Sequence, residues 1–132
     1  MSRIGKRHLE AVKQQLHEYD VTLTKIIPRD IEHDNDTLRE EIFHLLTNRD
    51  WLEEQFKQHG ITRTLAPLWQ QVQELDRLLM KQREMILEAY SPDYYRFQRK
   101  RLKMPREYWW WYLDELEPAE LPGWMMAESK GS

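Results

Sequence analysis

Residues 65–90, LAPLWQQVQELDRLLMKQREMILEAY, carry the longest regular apolar pattern in the chain. Apolar side chains recur at alternating intervals of three and four residues, and only Gln82 interrupts the alternation. This spacing places them on one side of an α-helix and is typical of a coiled coil. Further large residues widen that side beyond a two-stranded seam: Trp69, Leu78, Met80, Met85 and Leu87. The stretch therefore predicts one long central helix that is buried against more than one neighbour.

The N-terminal part of the chain has a second helical pattern. Apolar residues spaced by three, four and three predict a helix over residues 3–19, with Ser2 as its N-cap. The following residues, 21–27, are rich in β-branched side chains and precede Pro28. Because such side chains favour extended backbone and the residue before proline avoids the helical region, we expect an extended connector rather than a continued helix.

Local signals place the remaining helix ends before residue 65. Thr37 and Glu40 have the spacing of a capping box, in which each side chain accepts a hydrogen bond from a backbone N–H group that the first helical turn leaves unpaired. Gly60 then predicts a left-handed stop, and residues 48–50 are candidates for an interruption because they compete for backbone hydrogen bonds. Thr64 is the predicted N-cap of the long helix.

Prolines divide the C-terminal third. Ser91 followed by Pro92 predicts a helix start, since serine accepts a backbone hydrogen bond and proline has no N–H to lose in the first turn. Pro105 predicts the start of a short further helix, which Pro118 closes.

Composition sets the class of protein. With 132 residues, 40% of them apolar, the chain is long enough for one hydrophobic core. We predict an all-α, single-domain bundle of four to five helices over residues 1–117, followed by a flexible or loosely docked tail over residues 118–132. The absence of cysteine excludes disulfides and zinc-thiolate sites. No window approaches the roughly 20 apolar residues of a transmembrane helix, so we expect a cytoplasmic protein without a transmembrane segment.

Residues 90–112 hold nine of the fifteen aromatic side chains and six of the twenty lysines and arginines. On a helix, most of the cations fall on one arc, while Tyr94, Tyr95 and Phe97 fall on the other side. One interpretation is a solvated basic face with aromatics in the core. The alternative is an anion or nucleic-acid site, formed by Arg96, Arg99, Lys100, Arg101, Lys103 and Arg106. A membrane surface is a third, less favoured interpretation.

The triplet Trp109, Trp110 and Trp111 gives a more specific expectation. Successive residues of an α-helix point 100° apart, so three adjacent indoles cannot all enter one core. We therefore expect Trp110, Trp111 or both to be exposed or covered by a partner. Exposed tryptophan is enriched at protein interfaces, which predicts a partner-binding site, with self-association as a homodimer among the possibilities. The predicted site consists of Tyr108, Trp109, Trp110, Trp111 and Tyr112.

Candidate metal and catalytic patterns are incomplete. Acidic residues between Asp30 and Glu41 have part of the spacing of a calcium-binding EF-hand loop, but Asn35 occupies the position that needs glycine. Glu41 and His44 form half of the arrangement used in di-iron helical bundles. There is no cysteine and no glycine-rich phosphate loop. We therefore expect no enzyme activity, no cofactor and no metal, while a cation bound by the acidic loop stays open.

These observations favour a non-enzymatic helical interaction module, either a small subunit or an adaptor of a cytoplasmic assembly. Its predicted binding region is residues 90–112, with a protein as the partner. Nucleic-acid binding through the basic stripe and peripheral membrane binding are the alternatives. The acidic segments 30–41 and 107–132 leave open whether the protein's own carboxylates neutralise that stripe.

Overall fold

Helices make up most of the part of the chain that this computed structural model describes, which comprises residues 4–31, 35–116 and 121–123. No strand occurs within those ranges, which confirms the predicted all-α class. The contacts divide the chain into two compact units, Met1–Leu75 and Asp76–Ser132. The α-helices are α1 (Lys6–Val21), α2 (Ile27–Asp30), α3 (Asn35–His59), α4 (Ala66–Lys81), α5 (Arg83–Ala89) and α6 (Pro92–Leu102).

The predicted connector between residues 21 and 28 is wrong, because the chain stays helical there. A π-helical turn over Thr22–Ile26 joins α1 to α2, and the N–H of Ile27 donates to the carbonyl five residues back. Pro28 is the second residue of α2 and has no N–H, so the continuous helix lacks one backbone donor at this position. The Thr24 hydroxyl donates to the Asp20 carbonyl at 2.7 Å, which gives a partner to an oxygen beside the widened turn.

Helix α3 is longer and more continuous than predicted. It begins at Asn35, so Thr37 lies within its first turn instead of capping it. The predicted interruption at residues 48–50 is absent, and the Asn48 side chain donates to Gln15 on α1. Gly60 has a φ of 76° and its N–H donates to the Phe56 carbonyl, which confirms the left-handed stop.

The core of the first unit lies between α1 and α3. The two helices face each other with fully buried side chains: Val12, Tyr19, Leu38, Ile42, Leu45, Leu46 and Leu52. Arg49 is buried in the same helix, where it pairs with Glu53 at 3.0 Å and lies 5.7 Å from the centre of the Trp69 ring. Phe56 also contacts that ring, with centroids 5.0 Å apart. These contacts fix the start of α4 against α3.

The long helix predicted from residues 65–90 is divided in two. Gln82 has φ −95° and ψ 10°, outside the α-helical region, and separates α4 from α5. It is also the residue that interrupts the apolar repeat. At the other end of α4, Thr62 takes the role predicted for Thr64, because its hydroxyl accepts from the Leu65 N–H at 3.3 Å.

Helix α6 begins where the sequence predicts. The Ser91 hydroxyl accepts from the Tyr94 N–H at 3.3 Å, and Pro92 is the first helical residue. The short helix predicted between Pro105 and Pro118 is wrong, because in the described residues 105–116 the chain forms a 3-10 turn of three residues, Trp109–Trp111, and no longer helix. Ser2 and the tail residues outside 121–123 lie outside the described part of the chain. Among the helices that are described, none has the length and apolar character needed to cross a membrane.

Candidate functional site

The three tryptophans are buried, so the predicted exposure of Trp110 or Trp111 is wrong. Trp109, Trp110 and Trp111 expose 4%, 1% and 0% of their surface. In a 3-10 turn successive residues point about 120° apart, so the three indoles point in three directions and the protein must surround the turn on several sides to bury them. The turn starts after Pro105, whose carbonyl accepts from the Tyr108 N–H at 3.0 Å.

Ring contacts hold this turn together. Tyr108 stacks on Trp110 with centroids 4.9 Å apart and an angle of 30°, while Trp109 meets Trp110 edge to face at 5.5 Å. Such pairs each contribute about 0.5–1.5 kcal/mol beyond the area that they bury. Tyr112 is only partly buried, and its hydroxyl donates to the Met104 carbonyl at 2.5 Å. The turn is therefore a packed structural element, and the exposure argument for a partner site at residues 108–112 is lost.

Arg99, predicted as part of the basic stripe, is buried and neutralised. Its side chain is 6% exposed, and its guanidinium pairs with Asp114, which is 3% exposed, and with Glu115 at 3.1 Å. It also donates to the Trp111 carbonyl at 3.3 Å. Charge-assisted hydrogen bonds of this kind are the strong ones, and here they fix the chain after the tryptophan turn against α6.

Arg106 joins the same group of charges. It pairs with Glu115, so one carboxylate serves two guanidiniums. Arg99 and Arg106 each lie 4.7 Å from the centre of the Tyr112 ring, a distance at which cations are attracted to the ring face. We call this group the inner cluster: Arg99, Arg106, Tyr112, Asp114 and Glu115. It answers part of the question left by the sequence, because the protein's own carboxylates neutralise two of the six predicted cations.

Other residues of α6 have surroundings different from those of Arg99. Phe97 is 58% exposed, although its sequence position placed it on the apolar side. Lys100 and Arg101, one helical turn further on, flank it and are exposed. No ion pair within the described ranges links either of them, or Lys103, to a carboxylate. We call this surface the outer face: Tyr94, Arg96, Phe97, Lys100, Arg101 and Lys103.

Two weaker contacts order the outer face. Arg96 pairs with Asp93 at 3.3 Å, but both side chains are more than half exposed, so solvent screens the pair. Arg101 donates through Nε and Nη2 to the Gln98 side-chain oxygen at 2.9 and 2.6 Å. This pair of hydrogen bonds holds the guanidinium near the helix and leaves its charge without a carboxylate.

Lys103 ends α6 in an unusual backbone conformation. Its φ of 55° and ψ of 47° are left-handed, a region that favours glycine. Its N–H donates to the Lys100 carbonyl and the Met104 N–H donates to the Arg99 carbonyl, at 3.2 and 3.0 Å. This is a Schellman motif with lysine at the glycine position. Lys103 is therefore a cation of the outer face at a backbone position that glycine occupies more favourably.

Tyr95 lies on the buried side of α6 and has no exposed surface. Its ring meets Tyr90 edge to face with centroids 4.9 Å apart. Within the described residues, its hydroxyl has no hydrogen-bond partner. Burial is the largest cause that raises the pKa of Tyr95 well above its usual value, because the phenolate loses its hydration there.

The structure describes only part of the acidic segment that has some of the spacing of a calcium loop. Arg29 donates to both carboxylate oxygens of Asp30, at 2.7 and 3.0 Å, and Glu41 lies inside α3. Glu41 and His44 line an open cleft of about 260 Å³ beside the π-helical turn. In the described part of the chain, no three His, Cys, Asp or Glu residues meet as a metal site. The intervening residues 32–34, His33 among them, lie outside it.

Sequence reasoning missed two arrangements. The helical pattern places Phe97 on the apolar side of its helix, and its two cationic neighbours one turn away are the sequence signal of its exposure. The second arrangement brings His8 next to Trp51 and His59, whose ring centroids lie 6.1 and 4.9 Å from that of His8. Residues so far apart in the chain give no local pattern. No protein-family model, curated protein or solved structure matches this chain.

Proposed function

We propose that this chain is a non-enzymatic interaction module that binds an acidic segment of a partner protein through the outer face of α6. The observation that carries the proposal is Phe97, which is 58% exposed between Lys100 and Arg101. A large exposed aromatic side chain costs hydration free energy, and partner contact recovers it. Aromatic and arginine side chains are also the residues that dominate binding energy at protein interfaces.

Charge supports an acidic partner. Lys100 and Arg101 add two exposed cations beside Phe97, Lys103 adds a third at the end of the helix, and within the described ranges no carboxylate pairs with them. Complementary charge at the edge of an interface speeds association and excludes wrong partners, while the apolar centre supplies affinity. The net charge of −3 for the whole chain repels a long polyanion at a distance, which favours a short acidic segment.

The test is fluorescence anisotropy with a labelled peptide of alternating acidic and leucine residues. We expect binding to weaken at least about tenfold in Phe97→Asp and in the double variant Lys100→Glu with Arg101→Glu, because both remove features of an interface centre. Ile61→Asp is the matched control, since Ile61 is 50% exposed and lies in the other unit. Equal binding by the wild type and Phe97→Asp contradicts the proposal.

Single-stranded nucleic acid is a second candidate, favoured by the aromatic pair on this face. The rings of Tyr94 and Phe97 are inclined by 22° with centroids 6.4 Å apart, which is an arrangement on which an unpaired base can stack. A labelled oligothymidine distinguishes the two candidates. If nucleic acid is the partner, the oligonucleotide binds more tightly than the peptide and its affinity falls steeply with salt.

Membrane binding and self-association have less support. Phe97 and Ile61 are the large apolar residues that stand exposed in the described structure, and an interfacial helix needs a broad apolar face. Vesicles with anionic headgroups provide the membrane control in the same assay. Sedimentation of the wild type and of Phe97→Asp tests a homodimer, which would dissociate in the variant if Phe97 formed its interface.

A further inference from the structure

Two histidines from distant parts of the chain meet in the first unit. His8 lies in the first turns of α1, and His59 is the last residue of α3. Their ring centroids are 4.9 Å apart, with the ring planes inclined by 58°. The Trp51 ring is stacked beside His8, and the centroids of these two rings are 6.1 Å apart. Two imidazoles are thus held side by side on two packed helices.

A hydrogen bond sets the chemistry of His8. Its Nε2 bonds to the side-chain oxygen of Gln55, and that oxygen only accepts hydrogen bonds. Nε2 therefore carries the proton, and in the neutral ring the lone pair is on Nδ1. Histidines that bind metal ions show this arrangement almost always, with the non-binding nitrogen donating to an acceptor that orients the ring.

His59 lacks the hydrogen bonds that a buried imidazole normally makes. The residue is 8% exposed, and neither of its ring nitrogens has a hydrogen-bond partner among the described residues. Buried polar groups are nearly always paired, so a buried ring with two unpaired nitrogens calls for a ligand. A metal ion bound through one nitrogen gives that nitrogen a partner.

The distance between the rings fits one shared ion. Two imidazoles bound at 2.0–2.1 Å with an angle of 90–110° at the metal place their ring centroids roughly 4.5–5.2 Å apart. The observed 4.9 Å falls inside this interval. We propose that His8 and His59 bind one divalent transition-metal ion of the zinc and copper class, the ions that imidazole ligands suit.

The site is an open one. The described structure adds no third His, Cys, Asp or Glu to the pair, so water completes the coordination. His8 is partly exposed, which gives the ion a path from solvent. An ion held this way joins the start of α1 to the end of α3 and exchanges more readily than one in a closed structural site.

Calorimetry of the full untagged chain with Zn²⁺ and with Cu²⁺ tests the proposal. We expect one ion per chain, with a dissociation constant below about 100 µM. His8→Ala and His59→Gln should each weaken binding at least about tenfold, since each removes one of two ligands. His44→Ala is the control, because His44 is exposed on α3 and lies outside the pair. Cu²⁺ should also quench part of the tryptophan emission, and Trp51→Phe should remove that part.

These measurements test the metal site independently of the proposed binding of an acidic partner. Binding of one ion that both histidine variants lose, with His44→Ala unchanged, supports the site. No binding by the wild type, or unchanged binding in His8→Ala, overturns it. Because His59 is buried, circular dichroism must first show that His59→Gln folds; if it does not, the partly exposed His8 decides alone. A rise in melting temperature with Zn²⁺ that is absent in His8→Ala is the independent readout.

Discussion

The inner cluster and the outer face take cations from the same short stretch of chain and place them in opposite surroundings. Arg99 is 6% exposed and pairs with Asp114 and Glu115, whereas Lys100, its neighbour in sequence, is exposed. The inner cations hold the chain after α6 in place, and the outer ones are exposed to solvent. The difference shows that a basic stretch identifies neither role, and that the acids which fold back onto it decide which cations remain available.

The largest predicted effect removes a charge from the inner cluster. Arg99→Met leaves the Asp114 carboxylate, 3% exposed, in the interior with its main partner gone. Breaking a buried ion pair on one side costs about 3–5 kcal/mol, because the remaining charge is uncompensated. Urea unfolding followed by circular dichroism measures this loss. Lys100→Met is the matched control and should change the free energy of unfolding by less than about 0.5 kcal/mol. Similar stability of the two variants would remove the distinction between the faces.

A pair of tyrosine variants gives the next largest effect. Tyr112→Phe loses the hydrogen bond to the Met104 carbonyl and should cost about 0.5–1.5 kcal/mol at pH 7. Tyr95→Phe should be neutral or stabilising at that pH, because the hydroxyl it removes has no hydrogen-bond partner in the described structure.

The same Tyr95 variant changes the response to alkali. Burial raises the pKa of Tyr95 in the folded state, so its stabilising effect is complete below the unfolded value of about 10 and is lost as the pH rises above it. This group lowers the free energy of unfolding by up to about 1.4 kcal/mol per pH unit in that range. Urea unfolding between pH 9 and 11 should therefore show a shallower decline in Tyr95→Phe. An unchanged slope would mean that water reaches the hydroxyl.

The smallest effect comes from the end of the outer face. Lys103→Gly relieves the left-handed backbone but enlarges the freedom of the unfolded chain, so the net gain should be about 0.5–1 kcal/mol. The variant also removes one of the exposed cations and should weaken binding of the acidic peptide severalfold. A higher free energy of unfolding together with weaker peptide binding would show that Lys103 serves binding and not stability. A loss of stability would show that the lysine side chain contributes contacts of its own.

Sequence reasoning succeeds where local chemistry decides. Ser91 with Pro92, and Gly60, act through their own backbone and side-chain groups, so their roles are the predicted ones. Gln82 is a further example of a local signal, because the helix divides at the residue that interrupts the apolar repeat.

The errors share a different cause, which is that contacts between distant residues override the local pattern. The tryptophan turn is buried although no local pattern shows it, and Arg99 of α6 donates to the Trp111 carbonyl from twelve residues earlier in the chain. His8 and His59 meet because α1 packs on α3, and the sequence near either residue contains no pattern that predicts the contact. In the sequence Arg99 cannot be distinguished from its basic neighbours, but in the structure Asp114 and Glu115 pair with it.

The π-helical turn at Thr22–Ile26 gives this segment a tolerance of length that a regular helix lacks. A π-helical turn holds more residues than an α-helical one, so it takes up an extra residue without turning the helix that follows. Tyr19, Leu23 and Ile27, none of which has exposed surface, share one buried side across the turn. Deleting one residue within the turn should therefore restore regular α-helical bonding and leave Ile27 in the core. A deletion in the middle of α1 would instead rotate the two parts of the helix relative to each other by about 100° and should be far more damaging.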